Sequence, residues 1–257
     1  MSKSMQVKGA GAFVFLLALT AFLPTMTMPV SAADEAVCVF ISEKDNAWVV
    51  RKDSSVKSSL KVGDALYSGD QLIVTRGNNV QLAFDKDFQN TVQIEGDSAL
   101  EISGSRPTNI ELSKGRVFAI LNKRGAESQF KVFTPTAIAA VRGTQYQVNI
   151  ANQGTQVNTY QGEVRVSGRD KNGRETSDYV SVNAGQKTVV KAVGEAPQAV
   201  QSMTEAEKGE LTPVLERIQA TKSTFKSEDL NQWFPEGAAA KIEPKKITGD
   251  DTGKYVI

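Results

Sequence analysis

Carboxylate side chains are the main candidates for chemistry in this sequence, because it contains no histidine. Ser-His-Asp and Cys-His catalysis and His-containing zinc sites are thereby excluded. Asp64 and Asp70 lie six residues apart and each follows a glycine. Such a pair could serve glycoside hydrolysis or bind calcium. Asp side chains also bond to nearby backbone N–H groups in turns, and the Gly-Asp context favours this structural role.

The other paired carboxylates give the same result. Asp85 and Asp87 flank a lysine at a predicted hairpin tip and are expected to be turn residues. Asp250 and Asp251 lie in a polar tail and lack the alternating ligand spacing of an EF-hand loop. We therefore expect no catalytic residue, no metal site and no bound cofactor.

Two tryptophans and one cysteine complete the set of candidate side chains. Trp48 and Trp233 could stack on sugar rings, but large aromatic residues more often belong to a core or a lid. Cys38 is the only cysteine, so no internal disulfide can form. It lies in a strand-like segment, where it is expected to be a small buried apolar residue.

The stretch from Phe130 to Ile150 contains two alternating strand patterns with a compact turn sequence between them. Within it, Pro135 favours an extended conformation for the preceding residue, and Gly143 can take a positive φ. These features indicate a structural motif rather than a catalytic one. The motif residues are Thr134, Pro135, Val141, Arg142, Gly143 and Thr144.

Arg142 lies in an otherwise apolar context, where a guanidinium group needs carbonyl or carboxylate partners. One hypothesis makes it a structural pin, a buried arginine whose donors bond to carbonyl groups across the turn. Val141 and Thr144 look like core residues and favour this hypothesis. The alternative is an anion-binding residue in a groove. The first hypothesis predicts that Arg142→Ala destabilises the fold by about 1–3 kcal/mol.

The motif resembles the hallmark of the FecR family, a Thr-Pro, small-residue, Val-Arg-Gly-Thr sequence, and the resemblance extends from about Val62 to Val190. Further matching pieces occur in the same order: Val62-Gly63-Asp64 with Gly69-Asp70, Gly96-Asp97-Ser98-Ala99-Leu100-Glu101, and Tyr160-Gln161-Gly162-Glu163-Val164-Arg165-Val166. The resemblance implies a twisted, solenoid-like β-fold. Regulators of this family receive a contact from an outer-membrane transporter and control a cytoplasmic sigma factor.

Residues 1–33 are predicted to be a signal peptide. Lys3 and Lys8 form a basic start, an apolar segment follows, and Val30-Ser31-Ala32 offers a small-residue cleavage site. An uncleaved anchor is the alternative. Only about eight residues precede the apolar segment, so we expect a stand-alone FecR domain without the cytoplasmic anti-sigma part.

Cleavage after Ala32 would leave 28 basic and 29 acidic residues, a formal charge of −1. A nearly neutral chain has no electrostatic footprint for nucleic acid. We also expect no membrane span after signal cleavage.

Short strands broken by turns are predicted from residue 34 to residue 193. Turn glycines recur at Gly77, Gly96 and Gly115 and again at Gly143 and Gly162, with intervals of 19 residues inside each group and 28 residues between the groups. Such spacing is typical of stacked β-coils that share one core, although a sandwich with evenly sized hairpins would also explain it. The expected fold is mainly β, a twisted solenoid-like or sandwich-like domain.

Residues 194–257 are predicted to form a linker, a helix and a flexible tail, a small C-terminal helical appendage. Thr212 and Pro213 could cap and start the helix. Its apolar stripe would contain Leu211, Val214, Leu215 and Ile218 and would pack on the β-domain. Residues 227–233 could add a short helical turn.

The function that these observations favour is a non-catalytic interaction module, periplasmic or secreted. Its partner would be an envelope or extracellular protein or polymer, bound through an edge or face of the β-domain. A component of a transmembrane signalling system related to the FecR sigma regulators is the alternative.

Overall fold

The computed structural model of the chain describes residues 36–42, 47–105, 108–122 and 130–234. The predicted signal peptide, Asp250, Asp251 and the rest of the tail lie outside these residues.

The described residues form mostly short strands, followed by three helices. In chain order these elements are β1 (Cys38–Phe40), β2 (Ala47–Val50), β3 (Lys57–Ser59), β4 (Ala65–Leu66), β5 (Gln71–Val74), β6 (Asn79–Ala83), β7 (Asn90–Glu95), β8 (Ser98–Ser105), β9 (Thr108–Lys114), β10 (Arg116–Leu121), β11 (Phe130–Phe133), β12 (Ala137–Val141), β13 (Gln145–Ala151), β14 (Gly154–Gln161), β15 (Glu163–Arg169), β16 (Glu175–Asn183), β17 (Gln186–Val190), β18 (Gln201–Ser202), α1 (Glu205–Gly209), α2 (Leu211–Thr224) and α3 (Ser227–Trp233). None of these helices is long and apolar enough to span a bilayer.

The strands form two sheets. Sheet A has the order β4-β1-β6-β7-β10-β13-β14-β17-β18, and sheet B has the order β3-β2-β5-β8-β9-β11-β12-β15-β16. From β6 onwards the chain advances along both sheets in one direction, and hairpins such as β6–β7, β8–β9 and β13–β14 alternate between the sheets. The fold therefore combines a sandwich with a solenoid-like advance. The prediction of a mainly β, twisted solenoid-like or sandwich-like domain is confirmed.

One apolar core joins the two sheets. Tyr146 and Val148 of sheet A and Val164 and Val166 of sheet B are among its fully or almost fully buried members. Arg165, between the two valines, is exposed, as the period of two along a strand requires. Burial of each such aliphatic side chain contributes about 1.5–3 kcal/mol, so this shared core is the main stabilising element.

Glycines mark the points where the chain crosses from one sheet to the other. Each 19-residue interval holds one hairpin, whereas the 28 residues between Gly115 and Gly143 hold the three strands β10, β11 and β12. A hairpin brings the chain back to the end of the sandwich where it began, whereas three strands leave it at the opposite end. The crossings at Gly143 and Gly162 therefore lie at the other end of the sandwich from those at Gly77, Gly96 and Gly115. Neighbouring crossings touch, since a Cβ added to Gly96 would lie 2.7 Å from the backbone nitrogen of Gly77. The crossings therefore stack, but antiparallel hairpins lie between them rather than the β-coils that the spacing suggested.

The small-residue run between the two strand patterns of the motif forms a strand of its own. β12 lies between β11 and β15, and Ala137 and Ala139 on it are almost fully buried. The expectation that the chain simply turns there was wrong. Two separate turns, at residues 134–136 and 142–144, flank β12 instead.

The C-terminal helices cover the outer face of sheet A. Val214 and Ile218 of α2 form a buried cluster with Phe118 and Ile120 of β10, and Leu211 packs against it. A second buried cluster on this face contains Val39, Ile41, Ala83 and Phe88. The partly buried side chains that pack against it come from the C-terminal region and are Phe225, Leu230, Trp233 and Phe234. The predicted packing of the helix on the β-domain and the short helix at residues 227–233 are confirmed.

Two details of the helix prediction were wrong. α2 begins at Leu211 with Glu210 as its N-cap, so Thr212 and Pro213 lie in the first turn and do not cap it. Leu215 is 38% exposed and lies outside the apolar stripe. The sequence analysis did not predict α1. A capping box stabilises its N-terminus: the Thr204 side chain accepts a hydrogen bond from the Glu207 N–H, and the Glu207 side chain accepts one from the Thr204 N–H.

Candidate interaction surface

Thr134 organises the first turn of the motif. Its side chain is fully buried and its Oγ1 accepts a 2.9 Å hydrogen bond from the Ala137 N–H. The Thr155 hydroxyl, on β14 of sheet A, lies 2.8 Å from the Thr134 hydroxyl and 2.7 Å from that of Thr136. The three threonines thus fasten this turn of sheet B to sheet A, while Pro135 is exposed.

The second turn also has the predicted core residues. Val141 and Thr144 are 4% and 1% exposed, and the Thr144 hydroxyl donates to the Glu163 carbonyl at 3.1 Å. Gly143 has a φ of +69°, a conformation that disfavours a β-branched side chain.

Arg142 is exposed, contrary to the structural-pin hypothesis. Among the described residues, it has no hydrogen-bonding or ion-pair partner. The turn points its side chain outward while its neighbours Val141 and Thr144 point into the core. The prediction that Arg142→Ala leaves buried acceptors unpaired was therefore wrong.

Arg169, on β15, has the role that was expected of Arg142. Its Nη1 donates to the Thr134 carbonyl at 3.0 Å and forms an ion pair with Glu111, and its Nε donates to the Gly173 carbonyl at 3.3 Å. The guanidinium also lies 5.4 Å from the Phe133 ring centroid. With 18% of its side chain exposed, Arg169 is the structural pin of the Thr-Pro turn.

The Gly-Asp carboxylates are turn residues, as predicted. Asp64 accepts from the Lys61 N–H at 2.8 Å, and Asp70 accepts from the Tyr67 N–H at 2.9 Å. Asp70 is 2% exposed, and Arg51 neutralises it through a 2.5 Å ion pair. Both carboxylates are engaged in structure, which disfavours a catalytic pair.

Asp85 confirms the same prediction at the β6–β7 hairpin. It is almost fully buried and accepts hydrogen bonds from the backbone N–H groups of Asp87, Gln89 and Asn90. Within the part of the chain that the structure describes, no three His, Cys, Asp or Glu residues lie close enough together to hold a metal ion.

The tryptophans do not share a surface. Trp48 is partly buried on the outer face of sheet B, whereas Trp233 packs over Gly63 and forms an edge-to-face pair with Phe225 on the sheet A side. Trp233 thus belongs to a helical cover, as the lid hypothesis suggested. Cys38 is buried in the core, as predicted, and burial raises the pKa of its thiol.

Buried amide side chains form a row under α1 and α2, on the outer face of sheet A. The Gln147 amide donates to Glu210 at 2.7 Å and accepts from Asn158 at 2.9 Å, while Arg217 donates to Gln93 at 3.1 Å. These polar contacts fix the helices on the sheet. Because the helices cover this part of the face, it is a poor candidate for a binding surface.

The outer face of sheet B is open, since no described helix or strand covers it. Trp48 and Ile73 are paired neighbours near one edge of this face, and Phe133 lies further along the sheet. Near the opposite edge, Tyr179 is 54% exposed and its ring lies 4.0 Å from the Arg165 guanidinium. Exposed tyrosine and arginine side chains are the residue types most often found at the energetic centres of protein interfaces. Sequence reasoning missed this surface, because alternation along a strand cannot tell which outer face a helix will cover.

A family model described as FecR protein matches residues 70–165. Two crystal structures of a proposed anti-sigma factor from Parabacteroides distasonis align over 56% of this chain with a TM-score of 0.44 and 14% identity. This chain covers 64% and 63% of those chains, less than two thirds of their length. No curated protein matches the sequence.

Proposed function

We propose that this chain, whose residues 70–165 match a family model described as FecR protein, is a non-catalytic exported interaction module that acts in the cell envelope or outside the cell. It binds an envelope or extracellular protein or polymer through the outer face of sheet B. The observation that carries this proposal is the asymmetry of the two sheets. Helices occupy the outer face of sheet A, whereas sheet B presents Trp48, Phe133, Arg165 and Tyr179 on a face that no described element covers.

The chemistry of the described side chains supports a role in binding. The Gly-Asp carboxylates are bonded to their own turns, and the core cysteine is enclosed among apolar side chains. A broad sheet face suits a large partner, because it offers many shallow contacts around a few aromatic and arginine side chains.

Photo-crosslinking in whole cells tests the binding face. A photoreactive amino acid replaces Gln71, which is exposed on the outer face of sheet B, and in a matched control it replaces Leu215, which is exposed on α2. We expect the Gln71 probe to capture an envelope or extracellular partner and the Leu215 probe to capture much less of it. Equal capture by both probes, or capture by Leu215 alone, would refute the assignment of the face.

The exported location is tested by the mass of the mature protein. Small residues before the predicted cleavage point predict a mature N-terminus at Ala33 or Asp34. Intact mass spectrometry of protein recovered from the envelope or medium should show one of these two species. A species that retains residues 1–23 would mean an anchored protein.

A second candidate function is favoured by the FecR match itself: a component of a transmembrane signalling system related to the FecR sigma regulators. Deletion of the gene distinguishes the two. The interaction module predicts unchanged sigma-dependent transcription. A transcriptional response that the full-length chain restores would support the signalling role.

A further inference from the structure

Strand β16 is an unusually long free edge. The other strands at the ends of the two sheets, β3, β4 and β18, contain three, two and two residues. β16 contains nine residues, pairs with β15 on one side, and has no described strand on the other. Natural sheets usually shorten their edge strands or protect them with lysine or proline, because unpaired backbone groups attract another strand. From Tyr179 to Asn183, β16 has neither residue type.

The hydrogen bonds around β15 show which backbone groups of β16 point to the free edge. The Arg169 N–H donates to Thr136 on the β12 side, and the Glu163 carbonyl accepts from Thr144 on the same side. In an antiparallel sheet, successive residues direct their backbone groups to opposite sides. The odd-numbered residues of β15 therefore bond towards β12, and Val164 and Val166 bond to β16.

The register then fixes the direction of each residue on β16. Val164 and Val166 lie opposite Val182 and Val180, so these two residues of β16 bond inward to β15. Tyr179, Ser181 and Asn183 consequently direct their N–H and C=O groups to the free edge. The Asn183 N–H agrees with this assignment, since it donates to the Gln186 side chain at 3.0 Å rather than to β15.

The free edge is complementary to itself. When two copies pair antiparallel about Ser181, Ser181 faces Ser181 and Tyr179 faces Asn183, so each residue that directs its backbone groups to the edge meets another such residue. Pairing at Asn183 would displace the Gln186 side chain from the Asn183 N–H. Val180 then lies opposite Val182 on the core side, where both valines already contact the apolar core. In this register no like charges face each other, because Asp178 lies opposite Ala184.

We propose that two copies of this chain associate through β16, in an antiparallel register centred on Ser181, and join their B sheets into one continuous sheet. This self-association goes beyond the proposed binding function and leaves the outer face of sheet B open for a partner.

Analytical ultracentrifugation of the purified full chain tests the proposal. We expect a concentration-dependent dimer for the native sequence. Ser181→Pro removes an N–H that points to the free edge and leaves the bonds to β15 intact, so the variant should fold with a similar melting temperature and lose the dimer. Ser181→Ala keeps the N–H and is the matched control, which should still dimerise. A monomeric native chain at about 100 μM, or a dimer that persists in a folded Ser181→Pro variant, would overturn the proposal.

A disulfide trap tests the register. Facing Cα atoms in a hydrogen-bonded antiparallel pair are about 5.5 Å apart, within the range that a disulfide can bridge. Ser181→Cys should therefore form a disulfide-linked dimer on mild oxidation, while the native Cys38 stays buried. In the same register two copies of Ser177 would lie about 27 Å apart, eight residues along the strand, so Ser177→Cys should not link. Linking by Ser177→Cys and not by Ser181→Cys would refute this register.

Discussion

Replacing Arg169 by alanine tests which arginine holds the Thr-Pro turn. The substitution removes the donor to the buried Thr134 carbonyl, the longer bond to Gly173 and the ion pair with Glu111. A hydrogen bond from a charged donor to a buried acceptor contributes about 1.5–3 kcal/mol. The ion pair adds only about 0–1 kcal/mol, because the Glu111 side chain is 38% exposed and solvent screens it. We therefore expect Arg169→Ala to reduce the free energy of unfolding by about 2–4 kcal/mol.

Urea unfolding and thermal melting measure this loss, which should lower the melting temperature by about 5–15 °C in a domain of this size. Arg142→Ala is the matched control. Arg142 is exposed and without a described partner, so its replacement should change stability by less than about 0.5 kcal/mol. Arg169→Lys should recover only part of the loss, since lysine cannot donate in the same fork. Equal effects of the two alanine variants, or a larger effect at Arg142, would refute the assignment of the pin to Arg169.

Two further predictions concern the helical cover and the stacked turns. Burial acts to raise the pKa of Glu207, but hydrogen bonds from Lys187 and Thr204 outweigh it and lower the pKa from 4.5 to about 2. The ionised Glu207 carboxylate therefore stabilises the fold above about pH 4.5, and this stabilisation is lost as the pH falls to 2. Glu207→Gln should cost about 1–3 kcal/mol at pH 7, and the difference in melting temperature from the native chain should close below about pH 2; a difference independent of pH would contradict this. Gly96→Ala places a methyl group within 2.7–2.8 Å of the backbone of the neighbouring turn. Urea titration should show that this substitution destabilises the fold by about 1–3 kcal/mol. Gly209→Ala is the control, and because its added methyl group meets open space it should be neutral or stabilising.

Much of the β-fold could be predicted from local patterns. Alternating apolar residues indicate single strands, and turn glycines indicate where the chain crosses between sheets. Both signals depend on a few neighbouring residues, and the structure contains strands and crossings at these positions. Asp64, Asp70 and Asp85 likewise have the turn roles that short-range hydrogen bonding favours. Val141 and Thr144 were correctly expected in the core, because apolar and β-branched residues on either side of the turn glycine favour burial.

Long-range pairings could not be predicted in this way. Arg169 follows a glycine in a polar, charged stretch, and nothing local shows that its partner Thr134 lies 35 residues earlier. The interpretation of Arg142 failed because a residue between two buried neighbours can point outward at a turn. β12 was missed because alanine has a low intrinsic preference for strands, and only burial between two neighbouring strands stabilises it there. The covered face of sheet A depends on α2, whose polar contacts with Gln93 and Gln147 reach across more than 60 residues.

The alternation of hairpins between the two sheets restricts how the length of this domain can change during evolution. Insertion of a single residue between two crossing glycines would reverse the faces of every later side chain in that strand. Duplication of one 19-residue hairpin would keep the faces but send the next hairpin into the wrong sheet. Duplication of two consecutive hairpins, about 38 residues, would preserve both the faces and the alternation. Longer and shorter relatives of this domain should therefore differ by pairs of hairpins, and an alignment that places gaps of other sizes inside the strands would misplace their core residues.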